Sequence, residues 1–180
     1  AEVAPSAATT LGEIDTASMA IVTIAWRRSD VPSLASSGYL VPAVYGRPVK
    51  AATFASAKWA HLDRGEHVVV RCSIGRQGDV SELQRADSEL VAATTAELVG
   101  HAGFRGEPVD ARVSRWGGAL PQYAVGHRDR VTRIRAATAA VSGLAVCGAT
   151  YDGVGVPACI RTAYAAADQV LAELTTREAR

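Results

Sequence analysis

The sequence predicts an α+β fold, a mainly antiparallel or mixed sheet with about three packed helices. Two observations support this prediction. The first half of the 180 residues alternates short strand-like runs with short polar turns, which favours antiparallel pairing. The second half carries apolar stripes at helical spacing. Hydrophobic residues make up 48% of the chain and charged residues 21%, which excludes a disordered protein.

The first half contains most of the predicted strands. Residues 18–26 are rich in β-branched and aromatic types, which is typical of a buried strand. Residues 39–41 form a second, shorter apolar run. The other strand-like segments are residues 50–54, 67–74 and 109–116.

Three segments carry the helical pattern. Asp79 and Glu82 have the spacing of a capping box, which predicts a first helix at residues 80–100. The other two helices are predicted at residues 128–141 and 157–175. The apolar residues that define the three stripes are Leu83, Ala86, Leu90, Ala93 and Leu98, then Val131, Ile134 and Val141, then Ile160, Ala163, Ala167, Val170 and Leu174.

Charge and cysteine usage limit the possible partners. A net charge of +1 provides no field that would hold nucleic acid or an anionic membrane. The apolar run at residues 19–26 is too short to cross a bilayer, so we expect no transmembrane segment. Cys72, Cys147 and Cys159 lack CxxC spacing, which predicts neither a disulfide framework nor a structural zinc site and favours a reducing cytoplasm.

The most informative segment joins residues 144–147 to the last predicted helix. This apolar run lacks polar alternation, which is typical of a strand covered on both faces. Gly148, Gly153 and Gly155 follow it. Pro157 suits a first helical turn, where its missing N–H needs no partner. Because glycines allow close approach and a helix N-terminus offers free amides, the segment predicts either a ligand cradle or a tight turn with a purely structural role.

A second candidate site lies between Trp116 and His127. Three glycines, a proline and the aromatic residues Trp116 and Tyr123 are typical of a shaped wall for a flat ligand. The alternative is a structural connection whose aromatic residues belong to the core. His127 could act as an acid or base, or it could be a helix cap or surface residue.

The remaining reactive side chains form no recognisable site. His61, His67 and His101 lack metal-ligand spacing, so we predict no bound metal. Cys159 lies on the first turn of the last helix, where its pKa could be lowered, or it is a small packed residue. No Ser-His-Asp or paired-carboxylate arrangement can be assembled, so the catalytic residues are unknown.

Taken in order, these segments resemble the C-terminal part of the protoporphyrinogen/coproporphyrinogen oxidase family. Its members are FAD enzymes of haem biosynthesis in the amine-oxidase-like flavoprotein superfamily. The block at residues 148–160, followed by Ala165 and Ala166, is the most specific. The other blocks that carry the resemblance are residues 37–42, 51–59 and 116–127.

The resemblance implies a fragment of a two-domain FAD oxidoreductase. The family opens with a Rossmann unit whose GxGxxG loop holds the FAD pyrophosphate, and this sequence contains no such motif. Residues 1–142 would be the later part of the substrate-binding domain. Residues 143–180 would supply the closing strand and helix of the FAD-binding domain. Ala158 stands where the family more often has Asp, which would weaken a polar contact beside the flavin.

The resemblance also implies an activity for the full-length protein. It would dehydrogenate a porphyrinogen, either coproporphyrinogen or protoporphyrinogen, to the porphyrin, with oxygen as acceptor. Trp116 and Tyr123 would border the flavin or the substrate cavity. The residues that would lie along the flavin are Gly148, Gly153, Val154, Gly155 and Val156.

Several expectations about the isolated chain follow. It would be inactive and would lack FAD. It would be cytoplasmic, either free or peripheral at the membrane, and the sequence does not predict its oligomeric state. The alternatives are a fragment of another amine-oxidase-like or carotenoid-desaturase flavoprotein, or a non-catalytic tetrapyrrole-binding module. Among these alternatives, two sequence blocks favour a porphyrinogen oxidase. They are Pro-Gln-Tyr at residues 121–123 and Val-Pro-Ala-Cys at residues 156–159.

Overall fold

The chain folds into two compact units. A computed structural model describes residues 2–63 and 65–178. The sheet unit comprises residues 17–119, and the helical unit comprises residues 1–16 together with 120–180. Strands and helices both contribute extensively, so the predicted α+β class is confirmed.

The sheet unit is organised around a mainly antiparallel sheet. Its strands are β1 (Thr16–Arg27), β2 (Gly38–Leu40), β3 (Val49–Phe54), β4 (His67–Ile74) and β5 (Asp110–Pro121). Among the described residues they form a five-stranded sheet in the order β2-β3-β4-β1-β5. β1 pairs antiparallel with β4 in a continuous register, as β2 does with β3. β3 also pairs antiparallel with β4, with a register shift between Val49 and Ala51. The five strands predicted between residues 18 and 116 each coincide with one of these strands.

Alternating burial explains why β1 forms an interior strand of the sheet, between β4 and β5. Every second residue faces the core, because successive side chains of a strand point to opposite faces. The fully buried set is Ala20, Val22, Ile24 and Trp26. The Trp26 indole Nε1–H donates a hydrogen bond to the Arg105 carbonyl at 2.7 Å. Its ring meets Phe104 edge to face at a centroid distance of 5.2 Å, which fixes the loop before β5 against the core.

The first predicted helix begins later than its sequence pattern indicated. α3 covers Asp87–Ala102, whereas the spacing of Asp79 and Glu82 predicted an earlier start. The Asp79 carboxylate instead accepts hydrogen bonds from the Ser81 amide at 3.1 Å and from its hydroxyl at 2.6 Å. A short local turn thus uses the acceptor that a helix cap would have used, and the capping-box prediction at this position is wrong.

α3 is stabilised at its own ends by other residues. The Glu89 carboxylate accepts a hydrogen bond from the Ala86 amide at 2.8 Å, which is one half of a capping box. Gly103, with a φ of 73°, follows the helix, so Gly100, where the predicted helix ended, lies inside α3. The fully buried residues of α3 are Leu90, Thr94 and Leu98.

The helical unit has a smaller core. It contains α1 (Pro5–Gly12), α4 (His127–Ala139) and α5 (Val156–Glu178), whereas the short α2 (Ala55–Lys58) belongs to the sheet unit. The helices predicted at residues 128–141 and 157–175 are confirmed as α4 and α5, but α1 was not predicted. No helix in the described part of the chain is long and apolar enough to cross a bilayer. The buried apolar residues of this unit are Ala7, Val131, Ile134 and Tyr151.

Two predictions for the end of the chain are wrong. Residues 144–147 form no strand, and none of them is fully buried. A strand needs a neighbour for its backbone hydrogen bonds, and no described strand pairs with this segment. The stripe predicted to be the packed face of α5 is largely exposed, with Ile160 51% and Leu174 45% accessible. Thr162, on another face of α5, is buried instead.

Two glycines, one inside α3 and one directly after it, provide a test of the assigned end of this helix. A Cβ added at Gly100 would meet no atom within 4 Å, so Gly100→Ala should stabilise the protein by about 0.5–1 kcal/mol. Gly103→Ala should destabilise it by about 1 kcal/mol, because the φ of 73° at this position is unfavourable for an L residue. Urea denaturation of both variants would measure the difference. Equal effects of the two substitutions would contradict the assigned end of α3.

Candidate functional site

The glycine turn, residues 148–156, leads directly into α5. Gly148 has a φ of 111° and Gly153 a φ of 135°, backbone conformations that other residues rarely adopt. The amides of Val154, Gly155 and Val156 donate to no acceptor among the described residues. They lie at the positive end of the dipole of a 23-residue helix. This arrangement suits an electron-rich atom of a ligand.

The three glycines of the turn have different surroundings. A Cβ added at Gly148 would meet no atom within 4 Å, and one at Gly155 would meet only Pro157 Cδ at 3.8 Å. A Cβ at Gly153 would lie 3.0 Å from the Ala158 Cβ. Gly153 is therefore needed for packing within the protein. Gly148 and Gly155 border open space, as a ligand cradle requires.

Two aromatic rings hold the glycine turn from the side of α4. The Tyr123 hydroxyl accepts a hydrogen bond from the Gly153 amide at 2.8 Å and donates one to the Ala149 carbonyl. The Tyr123 and His127 rings are stacked at a centroid distance of 3.9 Å and an interplanar angle of 14°. His127 Nε2 lies 3.1 Å from the Tyr151 carbonyl oxygen, to which it donates.

His127 differs from both structural alternatives that its sequence position suggested. It is the first residue of α4, but its side chain makes no cap hydrogen bond, and the residue is only 7% exposed. Its Nδ1 atom is buried and has no partner among the described residues. His127 is therefore neither a helix cap nor a surface residue.

Further contacts attach the glycine turn to the helices. Thr162 Oγ1 accepts a hydrogen bond from the Gly148 amide at 3.0 Å. Arg135 forms an ion pair with Asp152, and its guanidinium lies 5.9 Å from the Tyr151 ring centroid. A cleft of about 770 Å³ beside the turn is lined in part by Tyr123, His127, Arg135 and Tyr151. No sequence pattern indicated Arg135, Asp152 or Thr162, because their partners are distant along the chain.

The other predicted site residues have simpler surroundings. Val154 and Val156, which carry two of the three free amides, are apolar yet 55% and 71% exposed. Trp116 lies on β5 of the sheet unit and is 55% exposed, whereas Tyr123 and the glycine turn belong to the helical unit. No group of three His, Cys, Asp or Glu side chains that could hold a metal ion occurs in residues 2–63 and 65–178.

The family model for flavin-containing amine oxidoreductases matches residues 2–171, nearly the whole chain. The chain belongs to this family. The coproporphyrinogen III oxidase of Mycobacterium tuberculosis is 41% identical over 144 residues, which are 80% of this chain and 31% of the relative. That of Mycobacterium leprae is 36% identical over 173 residues, which are 96% of this chain and 37% of the relative.

A solved structure supports the same assignment. A crystal structure from Exiguobacterium sp. 255-15, provisionally named protoporphyrinogen oxidase, has a TM-score of 0.77 and 30% identity. The match covers 91% of this chain and 36% of that protein. The predicted resemblance to porphyrinogen oxidases is thus confirmed, as is membership of a flavin-containing oxidoreductase family. The chain spans about a third of the length of the curated relatives it matches.

The three cysteines should react at very different rates. Burial, with a smaller contribution from Glu97, raises the pKa of the Cys72 thiol to about 12, so it stays protonated at pH 8. Cys147 is exposed and Cys159 is partly buried. We expect a disulfide reagent at pH 8 to modify Cys147 first and Cys72 only after unfolding. Cys147→Ser should remove the fastest phase, and rapid modification of Cys72 in the native protein would contradict the structure.

Proposed function

We propose that this chain is the C-terminal part of an FAD-dependent porphyrinogen oxidase. The full-length protein would dehydrogenate coproporphyrinogen III to the porphyrin in successive two-electron steps, with oxygen as acceptor, in haem biosynthesis. The observation that carries the proposal is the glycine turn, whose free amides and open glycines lie in the most family-specific block of the sequence. The coproporphyrinogen III oxidases that are 36–41% identical favour this substrate over protoporphyrinogen.

We infer that residues 1–142 belong to the substrate-binding domain and residues 143–180 to the FAD-binding domain. Two features of the second segment support this inference. Residues 144–147 are apolar and strand-like but have no described neighbouring strand. The apolar stripe of α5 is largely exposed. Both would be covered if an FAD-binding region outside these residues supplied a sheet beside residues 144–147 and packed on α5.

The residues of the glycine turn fit the flavin. The amides of Val154, Gly155 and Val156 would donate to the electron-rich atoms of the pyrimidine ring. FAD supplies the two-electron chemistry when bound. The N-terminal dipole of α5 would stabilise negative charge on the ring, and the open space beside Gly148 and Gly155 would admit it.

The proposal also covers the aromatic residues and the cellular setting. The exposed ring of Trp116 would border the substrate cavity, and Tyr123 would lie at the flavin edge of the glycine turn. No acid or base is assigned to the reaction. The protein would be cytoplasmic, either free or peripheral at a membrane.

The isolated 180-residue chain should carry no FAD and show no oxidase activity. The glycine turn supplies only part of the contacts that the cofactor needs, and the sequence has no GxGxxG loop for the pyrophosphate. Absorption spectra of the chain and of the full-length protein, purified identically, would check this expectation. A flavin band that co-purifies with the 180-residue chain would favour a stand-alone module.

Gly155→Ala in the full-length protein should separate flavin binding from stability. The added Cβ would have ordinary contact with Pro157 Cδ at 3.8 Å, and φ is not positive, so the fold should lose little. The methyl group would stand where the flavin approaches, and we expect the FAD Kd to rise about tenfold, or about 1.4 kcal/mol.

Gly100→Ala is the matched control for this experiment, because it makes the same change at an open position in α3. FAD titration of the apo-proteins and their melting temperatures would be compared. If Gly155→Ala keeps its flavin affinity and loses only stability, the glycine turn is a structural turn and not a flavin cradle.

A further inference from the structure

The glycine turn contributes few hydrogen bonds to its own shape. Its internal backbone bond runs from the Tyr151 amide to the Gly148 carbonyl at 3.2 Å. Gly148, Gly153 and Gly155 increase the number of conformations that the unsupported segment could adopt. The conformation that presents the free amides must therefore be selected by groups outside the turn.

The Tyr123 hydroxyl connects two separate points of the glycine turn. It accepts from the Gly153 amide at 2.8 Å and donates to the Ala149 carbonyl. A single oxygen atom thereby sets the distance between a residue near the start of the turn and one near the free amides. This contact uses both the donor and an acceptor site of the hydroxyl.

His127 fixes the middle of the glycine turn and the Tyr123 ring together. The Tyr151 carbonyl can only accept, so the hydrogen bond at 3.1 Å places a proton on His127 Nε2. The imidazole is 7% exposed and stacks on Tyr123 at 3.9 Å. Because the two rings restrict each other, the three hydrogen bonds to the turn depend on both side chains.

The ion pair at the middle of the turn, between Arg135 and Asp152, is a weaker contact. Arg135 and Asp152 form an ion pair, but their side chains are 43% and 37% exposed. Solvent screens such a pair, and it contributes little to a fixed geometry. The buried histidine and the tyrosine that bridges the turn are the better candidates for holding it.

We propose that Tyr123 and His127 act together as positioning residues for the flavin, by locking the glycine turn in the conformation that presents the amides of Val154, Gly155 and Val156. This role rests on the proposed function and adds to it two residues that need not take part in the chemistry. It requires the Tyr123 hydroxyl and the His127 Nε2–H, whereas a merely aromatic wall would require only the rings.

Substitutions that keep each ring but remove its hydrogen bond test the proposal in the full-length protein. Tyr123→Phe and His127→Phe should each raise the FAD Kd at least fivefold and alter the visible spectrum of the bound flavin. Hydrogen exchange of residues 148–156 in the apo-protein should become faster. His127→Gln, which keeps an N–H donor, should restore part of the affinity. In the double Phe variant the FAD Kd should rise by less than the product of the two single-variant increases, because both residues act on one turn.

Tyr45→Phe is the matched control, since Tyr45 is 65% exposed in the sheet unit and its hydroxyl makes no hydrogen bond to a described residue. It should change neither the FAD Kd nor the exchange of residues 148–156. If the unsubstituted full-length protein binds no FAD, the proposed function fails. If that protein binds FAD and both Phe variants bind it with unchanged Kd and spectrum, only the positioning role is overturned, even where their exchange is faster.

Discussion

The candidate site depends on hydrogen bonds that side chains make to the backbone of the glycine turn. The amides of Val154, Gly155 and Val156 have no acceptor among the described residues, so they cannot help to stabilise the segment that carries them. The conformation must be maintained by groups that leave these amides free. Tyr123, His127 and Thr162 do this by binding other backbone atoms of the turn. A backbone that is available to a ligand thus requires side chains from elsewhere to order it.

The strands could be predicted because their signal is local. The alternation in β1 follows directly from the two faces of a strand, and the structure buries alternate residues from Ala20 to Trp26. The start of α3 could not be predicted in the same way. Asp79 has the composition of a helix cap, but its carboxylate binds Ser81 in a local turn, and only the structure shows which use of the acceptor prevails.

The site was predictable in position but only partly in detail. Glycine spacing and Pro157 predicted the position of the turn before α5. The segment at residues 116–127 was predicted as a second candidate site, and it contains Tyr123 and His127. Their contacts with the turn could not be predicted, because they join residues 24 to 30 positions apart in the chain. The ion pair between Arg135 and Asp152 has no sequence signature at all, since isolated charged residues occur throughout the chain.

The two wrong predictions near the end of the chain have a common physical basis. An apolar pattern predicts that a segment will be covered, but it does not say which residues will cover it. Residues 144–147 have no described strand beside them, and Ile160 and Leu174 on α5 remain accessible. Covering these side chains would remove apolar surface from water at about 25 cal/mol per Å². A region that completes the sheet and packs on α5 would satisfy both patterns at once, which is why the same observations that contradict the local predictions support the proposed FAD-binding domain.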